Sequence, residues 1–397
     1  MANKVWKKQE RCAIVKNDPF DQSELNQCKE MLFMKMLLLG DICPTDITKE
    51  LFAKEDAETL FSDTVSLFEG KDAAIANLEC AITDSDRSIL KFGPALSAPV
   101  NTANLLKKIG IDYIGISNNH IFDFGIKGAT DSIAYLEQAG IKHTGFGSNY
   151  EDARKNLVIE QNGEKICVIA VCEREYSYAL EDRMGSRPFD EFDTMEDIEA
   201  AKREYDRVIV LYHGGKEYCR YPSPRLLKTC RAMAKHGADL VLCQHSHCIG
   251  CYEYYNDCHI LYGQGNFHFI EEKSTVPECW NSLLAVDYDT RSNEIAFTPI
   301  VNTELGITLA KDTEKAEILQ SFASRNQELQ SGAWRQQWHS FCESVKANYV
   351  SAVQNACNED STPRLNHRFA HYLDCQAHTD VWRELFPTYN QTNEKQV

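Results

Sequence analysis

IDYIGISNNHIFDFG, residues 111–125, passes from an apolar run straight into two asparagines, a histidine and an aspartate, with no turn residue between. The first half reads as a core strand, rich in isoleucine and short. Polar side chains buried at its end and left without partners would cost roughly 1–3 kcal/mol each. The residues at this strand end therefore need something to bind, and the same event recurs along the chain.

Strand-like runs lie at 36–40 (MLLLG), 73–79 (AAIANLE), 111–117, 165–172 (KICVIAVC), 207–213 (RVIVLYH), 239–244 (DLVLCQ) and 259–265 (HILYGQG). Continuous apolar runs of this length suit strands covered on both faces. Helix-patterned segments separate them, at 56–69, 101–109, 127–139, 194–205 and 223–236, with Gly110, Gly140 and Gly237 placed as left-handed caps. Strands alternating with helices predict an α/β domain over residues 35–305. A 1–34 extension precedes it. A helical appendage, 306–397, follows, with a polar tail ending in NQTNEKQV.

Six strand ends carry ligand-type residues: Asp41, Glu79, the Asn118–Asn119–His120 run, His213, the pair His245 and His247, and Asn266. A lone histidine after a strand is most often structural, and a lone aspartate most often caps the next helix. Coincidence at six ends points instead to one site, at the carboxyl edge where open α/β sheets bind ligands. Carboxylate, carboxamide and imidazole together suit one or two borderline divalent ions, Zn, Mn, Fe or Ni. A shared carboxylate can hold two ions about 3.5–4 Å apart, which acidifies a water and neutralises an anionic substrate.

Composition narrows the class. The 397 residues carry a formal net charge of −17, which disfavours a nucleic-acid partner. Sixteen cysteines scattered as singletons in a chain of this length suggest reduced thiols and a cytoplasmic location. The apolar stretch 31–40 is ten residues long and contains Lys35, too short to span a bilayer, so no membrane anchor is expected.

Laid out in this way, GDIC (40–43), NLEC (77–80), SNNHIFDFG (117–125), HGGKEY (213–218), QHSH (244–247) and YGQGNF (262–267) resemble the bacterial CapA family. These are poly-γ-glutamate capsule synthesis proteins within the calcineurin-like metallophosphoesterase superfamily. The resemblance implies a layered sandwich of two β-sheets flanked by helices. It also implies that Asp41 and His247 hold a first metal, that Asn119, His213 and His245 hold a second, and that Glu79 bridges them. His120 becomes the acid facing the substrate, with Asp123 orienting its ring. Candidate substrate-binding residues are Asn77, Asn118, Lys216 and Asn266, with Asn118 also a candidate for pinning the loop backbone.

The implied activity is metal-dependent hydrolysis of a phosphoester or a γ-glutamyl or peptide-type amide, by a metal-bound hydroxide. The expected partner is an anionic small molecule, a peptide or a polyglutamate. Two other readings stay open: an accessory protein that binds poly-γ-glutamate or its synthesis machinery without hydrolysis, and proton transfer of the epimerase type at the same metals. Cys43 stands where the phosphoesterases usually carry a histidine and is a candidate thiolate ligand. Gly214, where an aromatic is common, suggests a more open mouth. Cys243, Cys248 and Cys251 beside the two histidines offer a rival zinc or redox cluster. Trp334, Trp338 and Phe341, at near-helical spacing, form either a packed stripe or a lid.

Overall fold

The computed structural model describes residues 33–161, 163–358 and 362–388, so most of the extension expected over residues 1–34 lies outside the described residues. Two sheets face each other. In spatial order the first runs Ile307–Leu309, Glu294–Asn302, Ser282–Asp289, Lys35–Ile42, Ala73–Leu78, Tyr113–Gly115 and Lys142–Thr144, with Asn266–His268 pairing beside the end of Lys35–Ile42. The second runs Tyr252–Tyr255, Cys258–Leu261, Leu240–Gln244, Arg207–His213, Glu164–Cys172 and Leu157–Gln161. Both central blocks are parallel. Their carboxyl ends share one edge of the molecule.

Side chains alternate across each strand, and this builds the layers. Met36 and Leu38 turn into the space between the sheets and meet Ile209, Leu211, Leu240 and Leu242. Leu37 and Leu39 turn outward into a core under the helices Thr102–Ile109 and Gly125–Gln138. Val208 and Val210 do the same on the far side, under Glu191–Glu204 and Pro224–His236. Both faces of each sheet are therefore covered, which is why the strands read as unbroken apolar runs.

Local sequence sets the helix limits. Ser223 accepts a hydrogen bond from the backbone N–H of Leu226, Pro224 occupies the first turn, and Gly237 ends the helix at φ +115°. The helix expected over 56–69 is instead a turn of α-helix, Ala57–Phe61, followed by the 3₁₀ segment Ser62–Phe68. Asp63 explains the break, because its carboxylate accepts from the backbone N–H of Leu309 and the hydroxyl of Thr308 on the edge strand. That tie pulls the segment off a continuous helical path.

Four helices close the described chain: Asp312–Ser331, Trp334–Ala356, Pro363–Asp374 and Gln376–Leu385. The last two correct the reading of a polar tail. They bury Tyr372, Val381 and Leu385 against the outer core of the second sheet, where Trp334 and Trp338 also pack. Among the described residues no helix is long and apolar enough to cross a membrane.

Candidate metal centre

Two glycines bring the strand ends together. A Cβ on Gly40 would stand 2.0 Å from the carbonyl oxygen of Gly265, so GDIC and YGQGNF meet backbone to backbone. Only glycine permits that approach. It sets Asp41 opposite Asn266 on one side and Asn77 on the other. Asp41 accepts from Asn77 Nδ2 at 2.7 Å through Oδ1, and from the His245 backbone N–H at 2.9 Å through Oδ2.

The two histidines of QHSH sit on strained backbone, His245 at φ +77° and His247 at φ +55°. Such conformations cost roughly 1–3 kcal/mol each in non-glycine residues and persist where the surroundings fix them. Here the fixing contacts are visible. His245 is held by its N–H on Asp41 and by Glu175, whose Oε1 lies 3.5 Å from Nε2. His247 shares a 2.8 Å hydrogen bond between Nδ1 and Asn266 Oδ1 and lies against the Trp280 ring, 4.3 Å between centroids.

The side chains converge as two buried groups. Glu79, His213 and His245 form one, and Asp41, Glu79 and His247 the other, with the ligand atoms in each within 4.8 Å of one another. Glu79 belongs to both. His213 Nε2 lies 3.3 Å from Glu79 Oε1 and 2.9 Å from Asn119 Oδ1, which adds the carboxamide to the first group.

Whether divalent ions fit there can be judged from the polar atoms. Both carboxylate oxygens of Glu79 and Nδ1 of His245 are buried with no hydrogen-bond partner. Burial and the neighbouring Glu79 push Asp41 up to about 7. Burial pushes Glu79 the same way, but His213 and His247 outweigh it and hold it well below the carboxylate range. His245 resists its own burial and is raised to about 10 by Glu79, Glu175 and Glu217. Buried acids in excess of buried bases, with orphaned donor atoms between them, match the demand of a cation. The mixed oxygen and nitrogen donors fit a borderline divalent metal.

His120 stands beside this cradle. Its Nδ1 lies 2.6 Å from Asp123 Oδ2, and Lys91 Nζ reaches Asp123 Oδ1 at 2.5 Å and His120 Nδ1 at 3.2 Å. Burial raises the Asp123 carboxyl, yet His120 and Lys91 together hold it below its ordinary value. Asn118 Oδ1 accepts from the backbone N–H groups of His120 and Ile121, and its Nδ2 donates to Leu78 O. Its amide therefore shapes the loop.

Of the remaining candidates, Asn77 is wedged between Asp41 and His213, with Nδ2 3.3 Å from His213 Nδ1. Lys216 lies at the rim with Nζ 3.4 Å from Glu217 Oε2. Asn266 holds His247 and leaves Nδ2 buried without a partner. The open mouth expected at Gly214 is absent, because a Cβ there would meet Glu173 Cγ at 2.4 Å. Cys43 joins neither ligand group; burial and the Cys80 thiol keep it protonated. The rival cysteine cluster is likewise dispersed, with Cys243 Sγ 3.6 Å from Cys230 and Cys251 Sγ bonded to Arg220 O.

Two residues at the site escaped the sequence reading. Lys91 sits in a loop without pattern and carried no signal. Glu175 does carry one, since it follows the strand KICVIAVC as the other polar residues of the site follow theirs.

A model of the family described as bacterial capsule synthesis protein PGA_cap matches residues 35–271. The chain belongs to this family. All of Asp41, Glu79, Asn119, His120, His213, His245 and His247 fall within its PGA_cap segment, and the four C-terminal helices fall outside it. The capsule biosynthesis protein CapA of Bacillus anthracis is 26% identical over 278 residues, covering 68% of this chain and 66% of that one. The PGA biosynthesis protein CapA of Bacillus subtilis strain 168 is 27% identical over 241 residues, 58% of this chain and 62% of that one. A protein of Mycobacterium tuberculosis strain H37Rv named as a probable polyglutamine synthesis accessory protein is 27% identical over 208 residues, 49% and 55% respectively. The chain thus spans just under two thirds, or less, of the length of each.

Proposed function

We propose that this PGA_cap protein is a metal-dependent hydrolase of the metallophosphoesterase type, acting on a phosphoester or a γ-glutamyl or peptide-type amide. The observation that carries the reading is Glu79, shared by two buried ligand groups and left with both oxygens unbonded. Asp41, Glu79 and His247 would hold one ion, and Glu79, Asn119, His213 and His245 another. Divalent ions so placed acidify a water and neutralise an anionic substrate.

The chain's own residues do the rest. Asp123 takes the Nδ1 side of His120, which leaves Nε2 as the nitrogen that passes a proton to a leaving group. Lys91 balances Asp123 and keeps the pair in place. Asn118 fixes the backbone of the loop that carries both Asn119 and His120. The described cysteines are all free thiols and all but Cys357 are buried, which supports a reducing, cytoplasmic setting.

Elemental analysis of protein purified without chelators tests the first half of this reading, and a panel of phosphodiesters and γ-glutamyl amides tests the second. His245→Ala is expected to abolish bound metal and turnover together. Full metal content and activity in that variant would falsify the proposal. The mycobacterial relative, named as a probable polyglutamine synthesis accessory protein, favours a second reading, a non-hydrolytic accessory role, which for this chain would be the handling of poly-γ-glutamate. Binding of poly-γ-glutamate by the metal-loaded chain, with no cleavage over hours, would select it.

A further inference from the structure

The C-terminal helices lie outside the family segment, yet they reach the metal centre through the residues that follow the strand Glu164–Cys172. The backbone N–H of Ala377 donates to Glu173 Oε2 at 3.1 Å, and Gln376 Oε1 accepts from the backbone N–H of Arg174 at 2.6 Å. Cys375 Sγ lies 4.0 Å from Glu175 Oε1, the same oxygen that lies 3.5 Å from His245. One step further, the ring of His371 stacks on Tyr176, 5.3 Å between centroids, and Lys91 Nζ stands 5.4 Å from the centroid of the same Tyr176 ring. Segments from outside the family segment are therefore linked to His245 through Glu175 and to the His120 pair through Tyr176 and Lys91.

The hydrogen bonds behind His371 fix which of its nitrogens carries hydrogen. Tyr349 is buried, and among the described residues its hydroxyl has one partner, His378 Nδ1, at 2.6 Å. If the hydroxyl accepted that bond, its own hydrogen would be buried and unbonded, so it donates. Burial keeps His378 neutral. Its hydrogen is therefore on Nε2, which lies 3.1 Å from His371 Nε2 and donates to it. Burial keeps His371 neutral as well, which places its hydrogen on Nδ1. That N–H has no protein partner among the described residues. It is a donor of fixed direction, on a ring close enough to Glu175, Glu217 and Lys216 to feel their charges, where Glu175 lies 3.5 Å from His245 and Glu217 lies 3.4 Å from Lys216.

We propose that the C-terminal helices supply the substrate-recognition wall of this site, with His371 as a specificity-determining residue whose Nδ1–H, together with Lys216, takes a carboxylate of an acidic peptide-type substrate. The proposal rests on the hydrolase or glutamate-binding reading above and adds to it the residue that tells one anionic ligand from another. It also gives the Tyr349–His378 pair a task, namely to lock the tautomer of His371.

The test uses the full metal-loaded chain and two probes: a γ-linked glutamate oligomer, and bis(4-nitrophenyl) phosphate, which carries no carboxylate. His371→Ala is expected to weaken oligomer binding about tenfold, the scale of one hydrogen bond to a charged group. Metal content and the response to the phosphate diester should stay within about twofold of the parent, as expected for a contact remote from the ions. Tyr349→Phe, which touches no ligand, should weaken the oligomer about threefold by freeing the tautomer. If His371→Ala does not fold, His371→Asn is read by the same criteria. Unchanged oligomer affinity overturns the proposal, as does an equal loss on both probes or a loss of metal, because each assigns His371 a structural role. Competition by inorganic phosphate as strong as by the oligomer also overturns it, by assigning the wall to phosphate. A parent chain that holds metal but ignores the oligomer sinks the proposal alone, whereas a chain that holds no metal sinks the hydrolase reading beneath it.

Discussion

Lys91 and Asp123 form a buried ion pair, Nζ to Oδ1 at 2.5 Å, with the side chains 4% and 0% exposed. Asp123 is at the same time the partner of His120 Nδ1. Removing the lysine leaves a buried carboxylate with one partner fewer, and breaking such a pair from one side costs roughly 3–5 kcal/mol. Lys91→Met is expected to lower the unfolding free energy by that order and to reduce turnover while bound metal stays at the parental level. Calorimetry and elemental analysis on one preparation separate the two effects.

The proposed function divides the labour between the neighbours Asn119 and His120. Asn119 Oδ1 lies on His213 Nε2 inside the ligand group, whereas His120 faces Asp123. Asn119→Ala should lower metal occupancy, and His120→Ala should retain metal and lose activity by about 10²- to 10⁴-fold, the usual range for a general acid. Metal analysis with matched kinetics decides it, and the reverse pattern would undo the assignment.

Gly40→Ala places a methyl group against the Gly265 carbonyl. Backbone must yield, at roughly 1–3 kcal/mol for overpacking of this kind. Because Asp41 is the next residue, metal affinity should fall along with stability. A variant as stable as the parent in urea, with full metal content, would show that the close approach is dispensable.

His268 is fully buried between Phe52 and Phe61, with neither ring nitrogen hydrogen-bonded. Burial pushes it down to about 3. In the unfolded chain it takes a proton near pH 6.5, so below that value the unfolded state binds more protons and stability falls as pH falls. The loss should accumulate between about pH 6.5 and 3 and approach about 5 kcal/mol at the lower limit. His268→Leu should be more stable than the parent near neutrality by about 1 kcal/mol, the cost of leaving a polar group unmet. The gap should widen on acidification, which urea titrations at pH 7, 6, 5 and 4 would follow.

Arg225 ties the C-terminal helices to the second sheet. Its guanidinium bonds Glu173 at 2.5 Å and Asp380 at 2.8 Å, and Asp380 also accepts from the Ser223 hydroxyl. Arg225→Leu strands two buried carboxylates and should cost roughly 3–5 kcal/mol. Limited proteolysis should then cut between residues 357 and 388 at enzyme levels that spare the parent.

Much of this was legible in the sequence because period and punctuation agree in the family segment. Apolar runs of four to eight residues became strands, and glycines at 110, 140 and 237 marked helix ends with positive φ. The six polar strand ends met because parallel strands in two facing sheets send their carboxyl ends to one edge. The illegible parts share a cause: their partners are distant in sequence. Lys91 is defined by Asp123, Asp63 by the strand Ile307–Leu309, and Glu173 by the space at Gly214 and by Ala377. The helices Pro363–Asp374 and Gln376–Leu385 bury Tyr372, His378 and Asp380 among Ala377, Val381 and Leu385, so their inward faces are half polar and resemble a polar tail until the second sheet is set beside them.

The left-handed backbone at His245 and His247 narrows what evolution can place there. Among non-glycine residues, asparagine, aspartate and histidine enter that conformation most readily. Of these, histidine alone brings a neutral nitrogen donor and can hold a second contact on its other ring nitrogen, as both residues do with Glu175 and Asn266. Glutamate and cysteine, ordinary alternatives at metal sites elsewhere, meet the chemistry but not the φ angle. The two positions are constrained twice over, unlike Ser246 between them, which has no positive φ and joins neither ligand group.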